Sequence, residues 1–312
     1  MSAPQILATG RCLPSRTVTN EDMCRMVETT DEWIFTRTGI RSRYYCQGER
    51  GADLAEGAAR QALERSGLSP EDIGVCLVST FTPDFATPST ACQLQKRLGL
   101  REDTICFDLN AACAGFLYGM RTAHALLADS PRPYALLVGC EVISRVADQN
   151  DRSTFILFGD GAGAAVIRRR EDAEWHTVAG TRGDWDTIHC PGPGPAPAQL
   201  YMDGRAVFRF AVEVLESSIH QLLEAEGCSL NDLDWVVCHQ ANGRILDHVS
   251  KHLGAREGLF YKNMERYGNT SAASIPMALD ELVQDGKLKP GMRVLTVGFG
   301  GGLTWAGALF RW

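Results

Sequence analysis

Three short strings carry side chains able to do covalent and proton chemistry: Cys113 in NAACAGF, His239 in WVVCHQAN and Asn269 in YGNTSAAS. Before Cys113 an apolar run, ICFDL, leads into a turn of small residues, and a helix is predicted from about Ala114. A thiol close to a helix N-terminus meets exposed N–H groups and the positive end of the macrodipole, which favour the nucleophilic thiolate. Ala111, Ala112, Ala114 and Gly115 leave room for a substrate to approach. Taken alone, Cys113 reads equally well as a buried core cysteine. His239 follows the apolar run WVVC, so its imidazole is predicted at the carboxyl end of a strand, where α/β sites are built. A hydrogen-bonded structural histidine fits that position as well. Asn269 offers uncharged, non-titrating donors suited to an oxyanion, although its spacing equally suits a turn or N-cap.

These residues need elements to hold them, and the chain supplies those elements twice. The segment 53–66 has helical apolar periodicity and is followed by Gly67, a turn and the strand-like IGVCLVST. The segment 207–226 does the same and is followed by Gly227, a turn and LDWVVCH. KRLGL answers KHLGA, each leading to a short predicted strand (TICFDL, GLFYKN), and LLVGC answers LTVGF. The shared register is about 155–160 residues, which means two similar lobes packed together rather than a solenoid. Alternating helices and strands make the class α/β. By this register the Asn269 loop occupies in the second lobe the place of Cys113 in the first. The predicted division is 1–170, carrying the cysteine, and 171–312, carrying the histidine and asparagine. A surface loop or linker is expected within 168–200, where RRREDAE and CPGPGPAPA break periodicity.

Composition narrows the function classes. The 312 residues are 45% hydrophobic and 22% charged, typical of a soluble globular protein. Apolar runs are strand-sized, too short for a bilayer, and the N-terminus lacks the pattern of a secretory signal, so the expected compartment is the cytoplasm. A net charge of −7 argues against general nucleic-acid binding. The eleven cysteines are scattered singly, with no C-x-x-C and no Cys/His ligand cluster, so no metal site is expected. GDGAGAAVI and VGFGGGLTWAG lack the order of a dinucleotide or P-loop fingerprint. Their glycines read as places of close backbone approach.

Six strings in order, TDEWIFTRTGIR, NAACAGF, FGDGAGAAV, HQAN, YGNTSAAS and FGGGLTW, span essentially the whole chain. In them the chain resembles the β-ketoacyl-acyl-carrier-protein synthase III family, condensing enzymes that start type II fatty-acid synthesis. The resemblance implies a thiolase-like fold of five layers, α-β-α-β-α, from two duplicated halves, and a homodimer. It implies that Cys113 takes an acyl group from acyl-CoA, a substrate rather than a cofactor. It further implies that His239 and Asn269 stabilise the enolate left when malonyl-carrier protein loses CO2. Gly301 would complete an oxyanion hole with the Cys113 N–H, and Phe299 would pack between Cys113 and His239. Trp33 and Arg152 would sandwich the CoA adenine, with Arg37 on its phosphates and Met202, Gly204, Phe208 and Asn242 along the pantetheine tunnel. Arg205, Arg209, Arg244 and Lys251, the last three on predicted helices, form a basic cluster suited to an acidic carrier protein. Thr87 stands where some relatives carry a large aromatic that reaches across the dimer and shortens the acyl pocket, with Phe85 nearby. Leu303 also replaces a common aromatic, so the implied pocket admits acetyl or a longer or branched primer.

Three rivals follow from the same residues. One is a condensing enzyme of polyketide or alkylquinolone-type metabolism. Another is an acyl-CoA transferase or hydrolase that uses Cys113 alone, and a third is a non-catalytic carrier-binding subunit. The intact Cys113, His239 and Asn269 disfavour the last two.

Overall fold

A computed structural model describes residues 2–192 and 199–312. Five strands, β1 (Ala3–Cys12), β2 (Ile73–Ser79), β3 (Ile105–Leu109), β4 (Tyr134–Glu141) and β5 (Gly161–Arg170), form one sheet in the order β1-β5-β4-β2-β3. β2 runs parallel to β3 and β4, and β5 is antiparallel to β4 and β1. The second sheet contains β6 (Trp175–Asp184), β7 (Trp235–Cys238), β8 (Arg293–Gly300) and β9 (Gly302–Arg311) in the order β7-β8-β9-β6. Its pairings, one parallel and then two antiparallel, repeat the run β2-β4-β5-β1 of the first sheet. GLFYKN, predicted as a strand, makes only an isolated parallel bridge from Phe260 to Val236, at the place β3 holds in the first sheet.

Seven helices matter to the site: α1 (Asp31–Thr38), α2 (Gly51–Ser66), α3 (Thr90–Leu98), α4 (Gly115–Leu126), α5 (Gly204–Glu226), α6 (Gly243–His252) and α7 (Ser274–Gln284). α4 and α7 lie between the two sheets, α2 and α3 cover the outer face of the first, and α5 covers the second with α6 beside it. Period-two alternation in β4 explains why its sheet is buried on both faces. Ala135 and Leu137 join the central core with Phe116 and Ile275, whereas Leu136, Val138 and Cys140 join the outer core with Leu54 and Leu94. In β8, Leu295, Val297 and Phe299 face the outer core of the second lobe. That leaves Gly298 and Gly300 facing the Cys113 turn.

The segment 168–200 differs from its expected loop. β5 continues through Arg170, and Trp175–Asp184 is a strand paired along β9. Arginines within β5 and the Gly and Asp at the end of β6 hide the strand pattern, because the end of β5 is half-buried and that of β6 largely exposed. The remainder of the expected loop, 193–198, lies outside the described residues. Among the described residues no helix is long and apolar enough to cross a membrane.

Candidate active site

Cys113 sits in a single 3-10 turn, Ala112–Ala114, at the carboxyl end of β3 and immediately ahead of α4. Ala112 adopts φ 45°, a left-handed conformation uncommon for a residue with a side chain. β8 presses against this turn: a Cβ on Gly300 would lie 2.6 Å from Cys113 N. The Thr304 hydroxyl oxygen lies 2.9 Å from the Ala111 carbonyl and 3.1 Å from that of Gly301, tying the glycine loop to the cysteine loop.

The thiol is buried, and burial pushes its pKa up to about 12, with the neighbouring Ser271 hydroxyl opposing and the Glu141 charge reinforcing the rise. The helix-end position does not prevail, and the resting residue is a neutral thiol. Its proton must therefore leave as the sulfur attacks. Alkylation of Cys113 by iodoacetamide is expected to climb steadily from about pH 7 to about pH 10, because thiolate accumulates only above that range. Peptide mass spectrometry would read it, and a plateau below about pH 8.5 would show a pre-formed thiolate instead.

His239 follows β7, buried, with its N–H donating to Val297 O at 2.8 Å. Its Nδ1 is 2.7 Å from Ser274 Oγ, the first residue of α7, and Gln240 N–H already donates to the same oxygen. A serine proton directed to Nδ1 selects the tautomer bearing hydrogen on Nε2, the one able to donate into the site. Burial lowers the imidazole pKa to about 3, so it is an uncharged donor at working pH. The Phe299 ring meets it edge-on at 5.3 Å.

Asn269 is fixed by its backbone, donating to Leu157 O and accepting from Gly159 N–H. Its Oδ1 accepts from Ser271 N–H at 2.9 Å, which leaves Nδ2 as the outward donor. Ser271, also at positive φ (49°), donates to Glu141 at the end of β4. Glu141 is buried and receives further donors from Thr80, Phe81 and Thr82. Burial raises its pKa to about 8 against those hydrogen bonds.

A cavity of about 730 Å³ is lined by Cys113, His239, Asn269 and Phe299 at its inner end and by Trp33, Arg37, Met202, Gly204, Phe208 and Asn242 along its length. A second, mostly apolar cavity of about 360 Å³ is lined by Phe81, Phe158, Ile188, Leu200 and Gly301. Cys113 borders both. Residues 107–183 match the family described as 3-oxoacyl-[acyl-carrier-protein (ACP)] synthase III, and 223–312 match its C-terminal region. The β-ketoacyl-[acyl-carrier-protein] synthase III of Clostridium acetobutylicum is 43% identical over 324 residues, covering 100% of this chain and 99% of that one.

The chain belongs to the 3-oxoacyl-[acyl-carrier-protein] synthase III family.

Among solved structures, the synthase III from Aquifex aeolicus VF5 superimposes with a TM-score of 0.94 at 37% identity, covering 99% of this chain and 100% of that one. The priming β-ketosynthase of the R1128 polyketide pathway gives 0.93 at 36%, covering 99% and 96%. The chain is thus a condensing acyltransferase of thiolase-like fold that initiates fatty-acid synthesis, and the five layers described above are that fold.

The remaining residues singled out in the sequence fall into place unevenly against this synthase III frame. Trp33 is carried by α1, whose N-cap Thr30 accepts from Trp33 N–H. Asn242 caps α6 through its Oδ1 as well as lining the cavity. Arg152 does not line the cavity; its guanidinium lies 4.6 Å from the Trp33 ring centre, and that of Arg37 lies 4.3 Å from it. A base stacked between Trp33 and Arg152 needs about 7 Å, twice the ~3.4 Å stacking distance, so Arg152 must swing away to admit one. Arg205 and Arg209 on α5, and Arg244 and Lys251 on α6, are exposed and make no ion pair among the described residues. Arg205 and Arg244 border the cavity, whereas Arg209 and Lys251 do not.

Thr87 is exposed, on the loop between β2 and α3, and lines neither cavity of its own chain. The wall near Cys113 is made instead by Phe81, where Glu141 holds the loop inward, while Phe85 stays 46% exposed. Leu303 lines the larger cavity, not the smaller apolar one. Ser274, Ser271, Thr304 and Glu141 were not singled out by the sequence. The first three lie in quoted motifs, and a carboxylate ending the buried run LLVGCE was the available signal for the fourth.

Proposed function

We propose that the enzyme joins an acyl-CoA primer to malonyl-carrier protein by a decarboxylative Claisen condensation, using Cys113, His239 and Asn269. The observation that carries this reading is the position of Cys113 at the meeting point of a long polar-mouthed cavity and a short apolar one. The first suits a pantetheine arm and the second an acyl chain. Cys113 Sγ attacks the primer's thioester carbonyl, the bond from carbon to CoA sulfur breaks, and CoA leaves as the thiol. The Cys113 N–H and Gly301 would hold the oxyanion. The malonyl group then loses CO2, and its enolate oxygen is met by His239 Nε2–H and Asn269 Nδ2–H. The enolate carbon attacks the acyl-enzyme, Cys113 is released, and 3-oxoacyl-carrier protein and CO2 are the products. Phe299, buried against His239, keeps the departing carboxylate in an apolar setting, which favours its loss as neutral CO2.

Trp33, Arg37 and Arg152 would take the CoA nucleotide, and Arg209, Arg244 and Lys251 the carrier protein. The two lobes divide at 170/171, in keeping with one sheet drawn from 3–170 and the other from 175–311. A homodimer would pair the exposed edge strand β3, whose Ile105 is 45% exposed, and would bring Thr87 of one copy near the other's acyl pocket. The likeness to a polyketide-priming ketosynthase favours a second reading, with the same chemistry and a different carrier protein.

Incubation with a mixture of short straight and branched acyl-CoAs should add one acyl mass at Cys113. Subsequent malonyl-carrier protein should convert it to 3-oxoacyl product. Acylation without condensation on any carrier would reduce the enzyme to an acyltransferase, and condensation only on a polyketide carrier would select the second reading.

A further inference from the structure

Where α5 and α6 lie side by side, a group of side chains comes together that the condensation does not use. His248 and His252 are one helical turn apart on α6, so their imidazoles stand on the same face. Glu216 approaches from α5, and the ligand-capable atoms of all three lie within 4.8 Å of one another. His252 Nδ1 is 2.7 Å from Glu216 Oε1, and the rings of His248 and His252 are 6.2 Å apart at 67°. Both histidines are exposed, whereas the Glu216 side chain keeps only 20% of its exposure.

We propose that Glu216, His248 and His252 form a surface site for a divalent transition-metal ion of the Zn²⁺, Co²⁺ or Ni²⁺ class. Two imidazole nitrogens and one carboxylate oxygen are a three-ligand set that leaves a further position for water. Metal–ligand bonds of about 2.0–2.2 Å span atoms this close after small rotamer changes. Imidazole ligation selects against Mg²⁺ and Ca²⁺, which take oxygen ligands. A plain Glu216–His252 hydrogen bond accounts for one histidine and does not involve His248. The His248 ring also meets the Phe208 ring edge-on at 5.8 Å, and Phe208 walls the larger cavity. An ion bound here would therefore clamp α5 to α6 next to the mouth of the cavity. The histidine spacing stands open in the string HVSKH, but the third ligand belongs to another helix, so no ligand spacing along the chain reveals it.

Titration of the full-length, tag-free protein with Co²⁺ tests the site, followed by calorimetry and by visible absorption. Nitrogen and oxygen ligation gives weak ligand-field bands, whereas capture by any of the eleven cysteines gives an intense thiolate charge-transfer band. One Co²⁺ per chain with ligand-field bands only is expected, displaced by Zn²⁺. His252→Ala should weaken binding about tenfold or more, as should His248→Ala, with a smaller loss in Glu216→Gln. His252→Ala and Glu216→Gln leave the contact with Phe208 in place, so they carry the test if His248→Ala disturbs packing. Metal-free melting temperatures serve as the fold control. Absence of binding at millimolar Co²⁺, a thiolate band, or equal binding by a His248→Ala/His252→Ala double variant would each overturn the proposal.

Discussion

His239→Ala is expected to abolish decarboxylation of malonyl-carrier protein while leaving acylation of Cys113 nearly intact. Cys113→Ala should do the reverse. The two steps separate because the site holds two different donor sets. In the proposed mechanism the enolate oxygen develops its charge against His239 and Asn269, and removal of one preorganised donor costs about 10²–10³-fold in rate, roughly 2.7–4 kcal/mol. His239 acts as a neutral donor, since burial keeps its pKa at about 3. Its protonation is therefore lost as pH rises through about 3 and changes nothing between about pH 5 and pH 8, so decarboxylation by Cys113→Ala should show no inflection near the ordinary histidine value of about 6.5. Ser274→Ala should reproduce part of the His239→Ala loss, because without the serine proton on Nδ1 the imidazole is free to place its own hydrogen there and turn a lone pair toward the enolate. Release of labelled CO2 measures the first half of the experiment and intact mass the second. Decarboxylation by His239→Ala at the wild-type rate would remove His239 from the enolate.

How much of this was legible in the sequence depends on how far each interaction reaches along the chain. The duplicated register located both lobes and matched the Asn269 loop to the Cys113 loop, because helix and strand periodicity are local. The match is physically close: both loops are 3-10 turns entering a central helix, and each contains one non-glycine residue at positive φ, Ala112 and Ser271. The bracing residues were not legible. Ser274 meets His239 across 35 residues and Glu141 meets Ser271 across 130, and no spacing rule links such pairs. The extent of the thiol's burial was not legible either. A helix terminus is visible in a string of small residues, whereas the depth of burial that outweighs it depends on β8 closing over the turn from the other lobe.

That closure makes Gly300→Ala the most damaging small substitution expected at the site, and Gly301→Ala the informative contrast. A Cβ at position 300 would lie 2.6 Å from Cys113 N, 3.0 Å from its Cβ and 3.2 Å from its Cα. These are backbone and near-backbone atoms that no rotamer change can move, so the cysteine turn or β8 must shift. Overpacking of this kind costs about 1–3 kcal/mol of stability. The larger effect falls on acylation, because displacement of a nucleophile by about 1 Å costs about 10²-fold in rate. At Gly301 the nearest atoms to an added Cβ are Ile188 Cγ2 at 3.6 Å and Ala112 Cβ at 3.7 Å, ordinary contact distances. Gly301→Ala keeps its backbone N–H, so an oxyanion role for that group survives the substitution and acylation should fall only several-fold. Pre-steady-state acylation followed by intact mass, alongside melting temperatures, compares the two directly. Equal acylation rates in Gly300→Ala and the wild type would mean that the approach of β8 to Cys113 is slack enough to absorb a methyl group. The nucleophile would then be positioned by its own loop rather than by the second lobe.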